Sequence, residues 1–395
     1  MDDGRRKLNA PFAHLAADLD RLATLGRRRA LEPPGGIDFT SNDYLGLAAS
    51  EELRTAALAA MARQVPVGAG GSRLLRGNHP EHEALEAHAA RYFGAESTLY
   101  FGSGFTANLT LFATAPQRGD LVVHDELIHA SVLDGLRRGR AVAAAARHND
   151  TQSIDDAIVS WRAAGNTGRI WIAVESLYSM DGDTPNLAEL HALTRHRSAI
   201  LVIDEAHATG VLGPGGRGRA AFLEGSEDVV TLHTCGKALG TAGALLCAPR
   251  ALNDFLVNRG RPFIFATAPS PLLAAVTSAA LELCEHGDAR RERLRSLVQF
   301  AARALERYCG LRASGSHVLP VLIGEDRAAA DVAAALRQRG FDVRAIRPPT
   351  VPAGTARLRV SLTLNASEAA VDALFQALAP ELAARRVTAT VCGTR

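Results

Sequence analysis

The strongest indication of the fold comes from two segments, AILVIDEAHATG at residues 199–210 and VVTLHTCGKALG at residues 229–240. Each begins with a short apolar run and ends in polar residues and glycine. Uninterrupted apolar runs of this length are typical of parallel strands that are covered on both faces. We therefore predict two buried strands whose polar ends lie at the carboxyl edge of the sheet, where open α/β sheets bind ligands.

The same pattern extends toward the N-terminus. The apolar runs STLYF, DLVVH and RIWIAVES alternate with amphipathic segments, of which 153–164 and 186–197 are predicted helices. Ser153 and Asp156 match a capping box, which places the start of the first helix at Ser153. This alternation predicts a large, doubly wound, mostly parallel α/β domain over residues 47–284.

The pattern changes after residue 284. Helices are predicted at 289–308, 328–339 and 368–385, and strands at HVLPVLIG, FDVRAI and RLRVSLT. This mixture predicts a smaller C-terminal α+β domain over residues 285–385. An N-terminal arm (1–46) and a tail (386–395) complete the predicted organisation.

Composition narrows the classes of function. The chain has 395 residues, 47% of them hydrophobic, and a formal net charge of +2. It lacks the charge excess of proteins that bind nucleic acid or anionic membranes. The uncharged stretch 263–281 contains Pro269 and Pro271, which favours a loop and then a helix from about Pro271 over a membrane span. We expect small-molecule partners, with no nucleic acid and no membrane.

Location and metal content are predicted from the termini, cysteines and histidines. MDDGRRKLNA at the N-terminus lacks the apolar stretch of a secretory signal, and the five cysteines include no CxxC pair. We therefore expect a cytoplasmic protein with reduced thiols. His124 and His129 do not share a helix face, and His79 and His82 lie on a polar amphipathic helix, so no metal site is predicted.

Lysine is scarce, because only Lys7 and Lys237 occur among 44 basic residues. Lys237 lies between Gly236 and Gly240, directly after a predicted strand. Glycine lets the backbone approach a ligand closely, and lysine can form a Schiff base whereas arginine cannot. Lys237 is therefore the candidate catalytic amine. The alternative is a surface lysine in a turn.

Asp204 ends the other strand, and His207 follows three residues later. A carboxylate at this edge needs a cationic or hydrogen-bonding partner, and a protonated heterocyclic nitrogen is a suitable one. The alternative is a helix-capping aspartate beside a surface histidine.

A third element of the site is a glycine-rich helix start. STLYF is followed by Gly102-Ser103-Gly104 and a predicted helix from about Phe105, whose first amides would hold a phosphate. A nicotinamide- or nucleotide-binding α/β protein, which could use such a turn, is the alternative from a different class, but the spacing lacks a full GxGxxG. Together with Lys237 and Asp204, this turn predicts a site for pyridoxal 5′-phosphate (PLP).

The sequence resembles the α-oxoamine synthases, within the fold-type I PLP-dependent enzymes. The motifs that carry this resemblance occur in family order: FTSNDYLGL (39–47), GSRLLRGNHPEHEALE (71–86), FGSGFTAN (101–108), HASVLDG (129–135), ESLYSMDGD (175–183), DEAHATGVLG (204–213) and HTCGKALG (233–240). It implies a PLP-dependent acyltransferase that works as a homodimer with the site at the interface.

The resemblance also implies individual roles in cofactor binding. Lys237 and Asp204 keep the roles given above. The remaining cofactor contacts are Gly104 and Phe105 through backbone, His129 on the pyridine ring, Ser179 and His207 near the phenolic oxygen, Thr234 near the phosphate, and Thr267 at a neighbouring subunit's phosphate. His129 and His207 are also candidates for polarising the reacting oxygens.

Substrate contacts are implied in the same way. Asn42 and Arg359 match positions that hold the amino-acid carboxylate, and Thr350 matches an acyl-substrate contact. Arg27 matches a second acyl contact, although Arg28 or Arg29 would serve as well. The alternative for Arg359 is a place beside Arg357 on one solvated strand face.

The segment RPPTVPAGTARLRVSL (347–362) favours one reaction within the family. This segment looks most like the one in members that condense L-alanine with a pimeloyl thioester. It differs from the corresponding segments of aminolevulinate synthase, serine palmitoyltransferase and glycine C-acetyltransferase. A member that uses glycine or serine with a different acyl thioester is the nearest alternative.

Overall fold

The computed structural model describes residues 11–385. Its strands are β1 (Ile37–Asp38), β2 (Ser97–Phe101), β3 (Leu121–Asp125), β4 (Val142–Ala146), β5 (Ile170–Glu175), β6 (Ile200–Asp204), β7 (Val229–Thr234), β8 (Ala244–Ala248), β9 (Val318–Gly324), β10 (Phe341–Asp342), β11 (Arg344–Ile346) and β12 (Ala356–Ser361). Its α-helices are α1 (Ala13–Thr24), α2 (Glu51–Ala62), α3 (Pro80–Tyr92), α4 (Gly104–Thr114), α5 (Ala130–Arg138), α6 (Thr151–Ala163), α7 (Leu187–Arg197), α8 (Arg250–Arg259), α9 (Arg261–Ile264), α10 (Pro271–Glu285), α11 (Asp288–Cys309), α12 (Asp326–Gln338) and α13 (Glu368–Ala384).

The large sheet has seven strands in the order β2-β8-β7-β6-β5-β3-β4. Strands β3 to β7 are parallel, while β8 runs antiparallel to both β2 and β7. Because β6 lies between β5 and β7, the chain segments after these three strands meet at one edge. The predicted mostly parallel α/β fold is confirmed.

Both faces of this sheet are covered, which explains the uninterrupted apolar runs. Along β5, Trp171 and Ala173 pack into one apolar cluster with helix α4, whereas Ile170, Ile172 and Val174 pack into a second cluster with helices α6 and α7. Since successive strand residues point to opposite faces, a strand covered on both sides needs apolar residues at every position.

The C-terminal part contains a three-stranded antiparallel sheet, β11-β12-β9, packed with α11, α12 and α13. Strand β1 pairs with β10 through Ile37 and Phe341, so the N-terminal segment is tied to this part of the chain. The division at residues 46, 284 and 385 stays a prediction. The tail at 386–395 and Lys7 lie outside the described residues.

Two local predictions have different outcomes. Helix α6 begins at Thr151, and its cap is Asp150, whose side chain accepts the backbone N–H of Ser153 at 2.8 Å. The capping box from Ser153 was therefore wrong, since Asp150 supplies an earlier cap. Helix α10 begins at Pro271 as predicted, and no helix between residues 11 and 385 is long and apolar enough to cross a membrane.

A loop after β5 is fixed to both sheets. His148 bridges Asp125 at 2.9 Å and Asp183 at 2.8 Å. Although burial lowers its pKa, the hydrogen bonds to the two carboxylates raise the pKa of His148 to about 10, so the imidazole is charged at neutral pH. At the other side of the loop, Asp181 pairs with Arg357 on β12. These contacts of Asp181 and Asp183 hold the loop, residues 176–183, at the carboxyl edge of the large sheet.

Candidate active site

A cavity of about 360 Å³ opens at this carboxyl edge. This volume lies within the range of small-molecule sites. The cavity brings together most of the predicted cofactor contacts, namely Gly104, Phe105, His129, Asp204, His207, Thr234 and Lys237. Residues that are as far apart in the chain as Gly104 and Lys237 therefore surround one space.

Asp204 is buried at the end of β6, and neighbouring donors fix its carboxylate. Oδ1 accepts the backbone N–H of Ala206 at 2.9 Å, and Oδ2 accepts Nδ2 of Asn108 at 2.8 Å. Asn108 also donates to the hydroxyl of Ser131 at 3.0 Å. His207 is itself buried, so the alternative of a surface histidine was wrong. Asn108 lies in the quoted FGSGFTAN motif, but nothing in its spacing indicated this contact.

A second carboxylate, that of Glu175, lies beside Asp204, because β5 and β6 pair these two residues in register. Burial and the nearby Asp204 raise the pKa of Glu175 to about 8, so it is neutral at pH 7. Its Oε2 accepts the backbone N–H of Ser179 at 3.1 Å. Glu175 was not predicted as a site residue, although its place near the end of the run RIWIAVES was the available signal.

Lys237 lines the cavity. Its Nζ is 2.8 Å from Nε2 of His207. Burial lowers the pKa of Lys237 to about 8, although the nearby carboxyl groups of Asp204 and Glu175 oppose this effect. Burial and the cationic Lys237 and Arg359 hold the pKa of His207 well below its usual value, so His207 is neutral. The alternative of a surface lysine was wrong.

The start of α4 forms one wall. The Ser103 side chain accepts the N–H of Thr106 at 3.1 Å and its carbonyl accepts that of Ala107 at 3.1 Å. These bonds leave the N–H groups of Gly104 and Phe105, both of which line the cavity, for a ligand. A Cβ at Gly104 would come within 2.5 Å of Cγ2 of Thr234, so this close approach of helix and strand requires glycine.

Two aromatic rings, those of Phe105 and His129, line the cavity. The rings of Phe105 and His129 meet edge to face at 6.4 Å, and Nδ1 of His129 is 2.7 Å from the Ser131 hydroxyl. Thr267 is exposed and does not line the cavity of its own chain.

Arg359 is buried, at 7% exposure, among neutral acceptors. Its Nη2 donates to Oδ1 of Asn42 at 2.9 Å, its Nε to the Ser179 carbonyl at 2.6 Å, and its Nη1 to the Ser361 hydroxyl at 3.0 Å. No carboxylate within residues 11–385 forms a salt bridge with it. A buried guanidinium in this setting is suited to an incoming anion.

Arg357 differs from Arg359 in its partner. Both side chains are buried, at 4% and 7% exposure, so the alternative of a solvated strand face was wrong. Strand β12 is the central strand of its sheet and is covered on both sides. Arg357 is neutralised by Asp181, whereas Arg359 is not neutralised by a described residue.

The other predicted residues lie around the cavity or apart from it. Ser179 contacts both Glu175 and Arg359 through its backbone. Arg27 pairs with Asp326 at 2.5 Å, while Arg29 reaches the hydroxyl of exposed Thr350 at 3.2 Å. Neither Arg27 nor Thr350 lines the cavity.

The chemistry of these groups matches PLP. A phosphate needs free amides at a helix start and a hydroxyl, which α4 and Thr234 offer. A pyridine nitrogen needs a buried carboxylate, and an aldehyde carbon needs a lysine amine. Asp204 and Lys237 supply these across one cavity.

A comparison with protein families agrees with this donor set. The model for aminotransferase class I and II matches residues 34–378. The chain therefore belongs to this family of fold-type I, PLP-dependent enzymes, which confirms the predicted fold and cofactor.

Its curated relatives define the family more narrowly. Proteins named 8-amino-7-oxononanoate synthase match from Anaeromyxobacter dehalogenans strain 2CP-1 (41% identity, covering 93% of this chain and 95% of the relative) and from Acidithiobacillus ferrooxidans (42%, covering 87% of each). A third, from Chromobacterium violaceum, is 41% identical and covers 91% of this chain and 95% of the relative. The chain is thus a member of the 8-amino-7-oxononanoate synthase family, and the predicted resemblance is confirmed.

Solved structures share the fold. Serine palmitoyltransferase from Sphingomonas wittichii superposes with a TM-score of 0.85 at 26% identity, covering 96% of this chain and 98% of that one. The S. paucimobilis enzyme, solved with bound PLP and myriocin, gives 0.84 at 26% identity, covering 95% and 98%. An 8-amino-7-oxononanoate synthase from Francisella tularensis gives 0.74 at 25% identity, covering 89% and 99%.

Proposed function

We propose that this protein condenses L-alanine with a pimeloyl thioester to form 8-amino-7-oxononanoate, a step of biotin biosynthesis. A carbon–carbon bond forms between the alanine α-carbon and the acyl carbon, the thiol leaves, and the carboxylate departs as carbon dioxide. The observation that carries the proposal is the buried Arg359, which forms no salt bridge with a carboxylate among the described residues and is linked to Lys237 by hydrogen bonds through Tyr44 and His207. The acyl carrier is coenzyme A or an acyl-carrier protein.

PLP, when bound, supplies a carbonyl carbon that condenses with amines and a protonated ring that withdraws electrons. Lys237 would hold the carbonyl carbon, Asp204 the ring nitrogen, and the amides of Gly104 and Phe105 with Thr234 the phosphate. Asn108 and Ala206 already orient the Asp204 carboxylate, which would hold it in place beside the ring nitrogen. His129 would cover one face of the ring.

Lys237 is the proton carrier of the reaction. A pKa lowered to about 8 leaves part of the Nζ groups unprotonated near neutral pH, so Nζ can accept the α-proton and later return it. His207, 2.8 Å away and neutral, accepts a hydrogen bond from Nζ without adding a positive charge.

Arg359 and Asn42 orient the alanine carboxylate. A guanidinium fork binds a carboxylate with defined geometry, which a lysine point charge does not provide. This contact would orient the bond that breaks when the carboxylate departs. Ser179 supports it, because its carbonyl holds Nε of Arg359.

The acyl end is assigned to the arginines of the N-terminal arm and to Thr350. Arg29 already contacts the Thr350 hydroxyl at 3.2 Å, and Arg27 is engaged with Asp326. This arrangement favours Arg29 as the residue that acts beside Thr350, in place of Arg27.

We also propose a homodimer in the cytoplasm. Leu75 and Phe265 are 85% and 70% exposed, and they lie on two segments that are joined by a hydrogen bond from the Ala268 N–H to the Gly71 carbonyl. A second copy of the chain would cover these two side chains, and Thr267 would reach the phosphate site of that copy. Reduced thiols at Cys235, Cys247, Cys284 and Cys309 support a reducing compartment.

The direct test is the mass of the product. Purified holoenzyme is incubated with alanine, glycine or serine and with pimeloyl, acetyl, succinyl or palmitoyl thioesters of coenzyme A, and with pimeloyl-acyl-carrier protein. We expect 8-amino-7-oxononanoate from alanine and a pimeloyl thioester as the fastest product. Faster condensation with glycine or serine would assign another reaction of the family.

Replacing Arg359 with lysine is expected to raise the KM for alanine on the order of 10- to 100-fold, because a hydrogen-bonded charge contact is lost. PLP affinity should stay unchanged, since Arg359 does not line the cofactor cavity. Steady-state kinetics and fluorescence titration with PLP measure the two effects. Arg357→Lys is the matched control, and it should lower the melting temperature through Asp181 while sparing KM. If both variants raise KM equally, the carboxylate is placed wrongly.

A further inference from the structure

A chain of hydrogen bonds connects Lys237 with Arg359. Nζ of Lys237 is 2.8 Å from Nε2 of His207, and Nδ1 of His207 is 2.6 Å from Oη of Tyr44. Oη lies 2.9 Å from Oδ1 of Asn42 and 3.3 Å from Nη2 of Arg359. Tyr44 is fully buried, and no role was predicted for it from the sequence.

The direction of this chain follows from the chemistry of its ends. Arginine only donates, so the Asn42 atom that faces Nη2 of Arg359 is the oxygen, and a Tyr44 lone pair faces the same Nη2. Burial raises the pKa of Tyr44 to about 12, so its hydroxyl keeps the hydrogen. A lysine ammonium also only donates, and it therefore needs a lone pair on Nε2 of His207.

These constraints have one consistent solution. The Tyr44 hydroxyl donates to Oδ1 of Asn42 and accepts from Arg359 and from Nδ1–H of His207. Neutral histidine carries one ring hydrogen, so Nε2 is then the acceptor for Lys237. We propose that Tyr44 is a positioning residue that fixes the His207 tautomer with the hydrogen on Nδ1 and so keeps Nε2 as an acceptor facing Lys237.

This inference rests on the proposed role of Lys237 and predicts an effect on its basicity. An acceptor at Nε2 stabilises the ammonium form, whereas an N–H at Nε2 would oppose it. Without the Tyr44 hydroxyl, Nδ1 loses its acceptor and the tautomer is released. Tyr44→Phe is therefore expected to lower the pKa of Lys237 by about one unit.

The surroundings of Lys237 are otherwise retained in this variant. Phenylalanine keeps the ring that meets His317 edge to face at 4.1 Å. The titratable and charged groups facing Lys237 remain, namely Asp204, Glu175, His129, His207, His317 and Arg359.

The scarcity of lysine makes the measurement direct. Full-length protein without PLP is labelled competitively with acetic anhydride between pH 6 and 11, and mass spectrometry reads Lys237 against Lys7, the other lysine in the sequence. Tyr92→Phe is the control, because it removes a buried tyrosine hydroxyl that donates to the Gly215 carbonyl, outside the site. We expect a lowered pKa in Tyr44→Phe and the wild-type value in Tyr92→Phe.

Asn42→Ala extends the test to a residue that touches neither His207 nor Lys237 in the described hydrogen bonds. It removes the acceptor of the Tyr44 hydroxyl, which then turns to Nδ1 of His207, so the pKa of Lys237 should fall as well. An unchanged Lys237 pKa in either variant would overturn the proposal. Failure of the proposed reaction is recognised separately, by the absence of product, because the labelling reports Lys237 whatever reaction the protein performs.

Discussion

Replacing Lys237 with alanine is expected to reduce turnover by at least ~10³-fold, since proton transfer by a positioned side chain alone contributes ~10²–10⁴. The variant should also fail to attach PLP covalently. The chain should still fold, because Lys237 lies in a cavity and not in an apolar cluster. Turnover, the yellow absorbance of the purified protein and the melting temperature measure these three effects.

Borohydride reduction provides the matched evidence for attachment. In the wild type, reduction should fix the cofactor mass on the peptide that contains Lys237. Lys7→Ala is the control and should keep both activity and this labelled peptide. Normal multiple turnover by Lys237→Ala, without an added amine, would disprove the assignment.

The sequence predicted the central strands because their apolar runs are continuous and bounded by polar residues. Strand β4, Val142–Ala146, was not predicted, since four of its five residues are alanine, which favours helices, and the strand lies at the sheet edge with several exposed residues. Strand β8, Ala244–Ala248, was not predicted either. It is a five-residue apolar run, and periodicity alone does not distinguish such a run from a buried helix segment.

A site residue was predictable where it lies at the end of an apolar run that itself predicts a buried strand. Asp204 and Lys237 were identified in this way. Glu175 becomes part of the site only through the register of β5 against β6, and Tyr44 reaches His207 across 163 positions of sequence. Such contacts depend on tertiary packing, which local patterns do not encode.

The two arginines of β12 illustrate the same limit. Arg357 and Arg359 are two positions apart on a strand buried on both faces, so alternation gives them the same environment. The difference between them is Asp181, which a loop after β5 brings to Arg357 alone. Only the tertiary structure therefore identifies Arg359 as the guanidinium without a carboxylate among the described residues.

Replacing Asp204 with asparagine is expected to lower turnover by at least ~10²-fold, the scale of a lost electrostatic contact to a reacting group. With PLP bound, the carboxylate would keep the ring nitrogen protonated, and a neutral amide would not stabilise that charge. PLP should still bind, since Lys237 and the start of α4 are unchanged. Exchange of the alanine α-hydrogen with deuterated solvent, followed by NMR without acyl thioester, isolates this step.

The amide also disturbs local hydrogen bonding, so the comparison needs a variant with the same structural cost. Both oxygens of Asp204 accept N–H donors, from Ala206 and Asn108, and an amide NH₂ would face one of them. Asp120 is likewise buried and accepts the N–H groups of Gln117 and Arg169, but at the opposite edge of the sheet. Asp120→Asn should therefore lose stability similarly and retain exchange. Near-normal exchange in Asp204→Asn would mean that another group supplies the charge. Glu175 is the carboxyl group that the register of β5 and β6 places there, and in this variant the Asp204 charge would no longer raise its pKa.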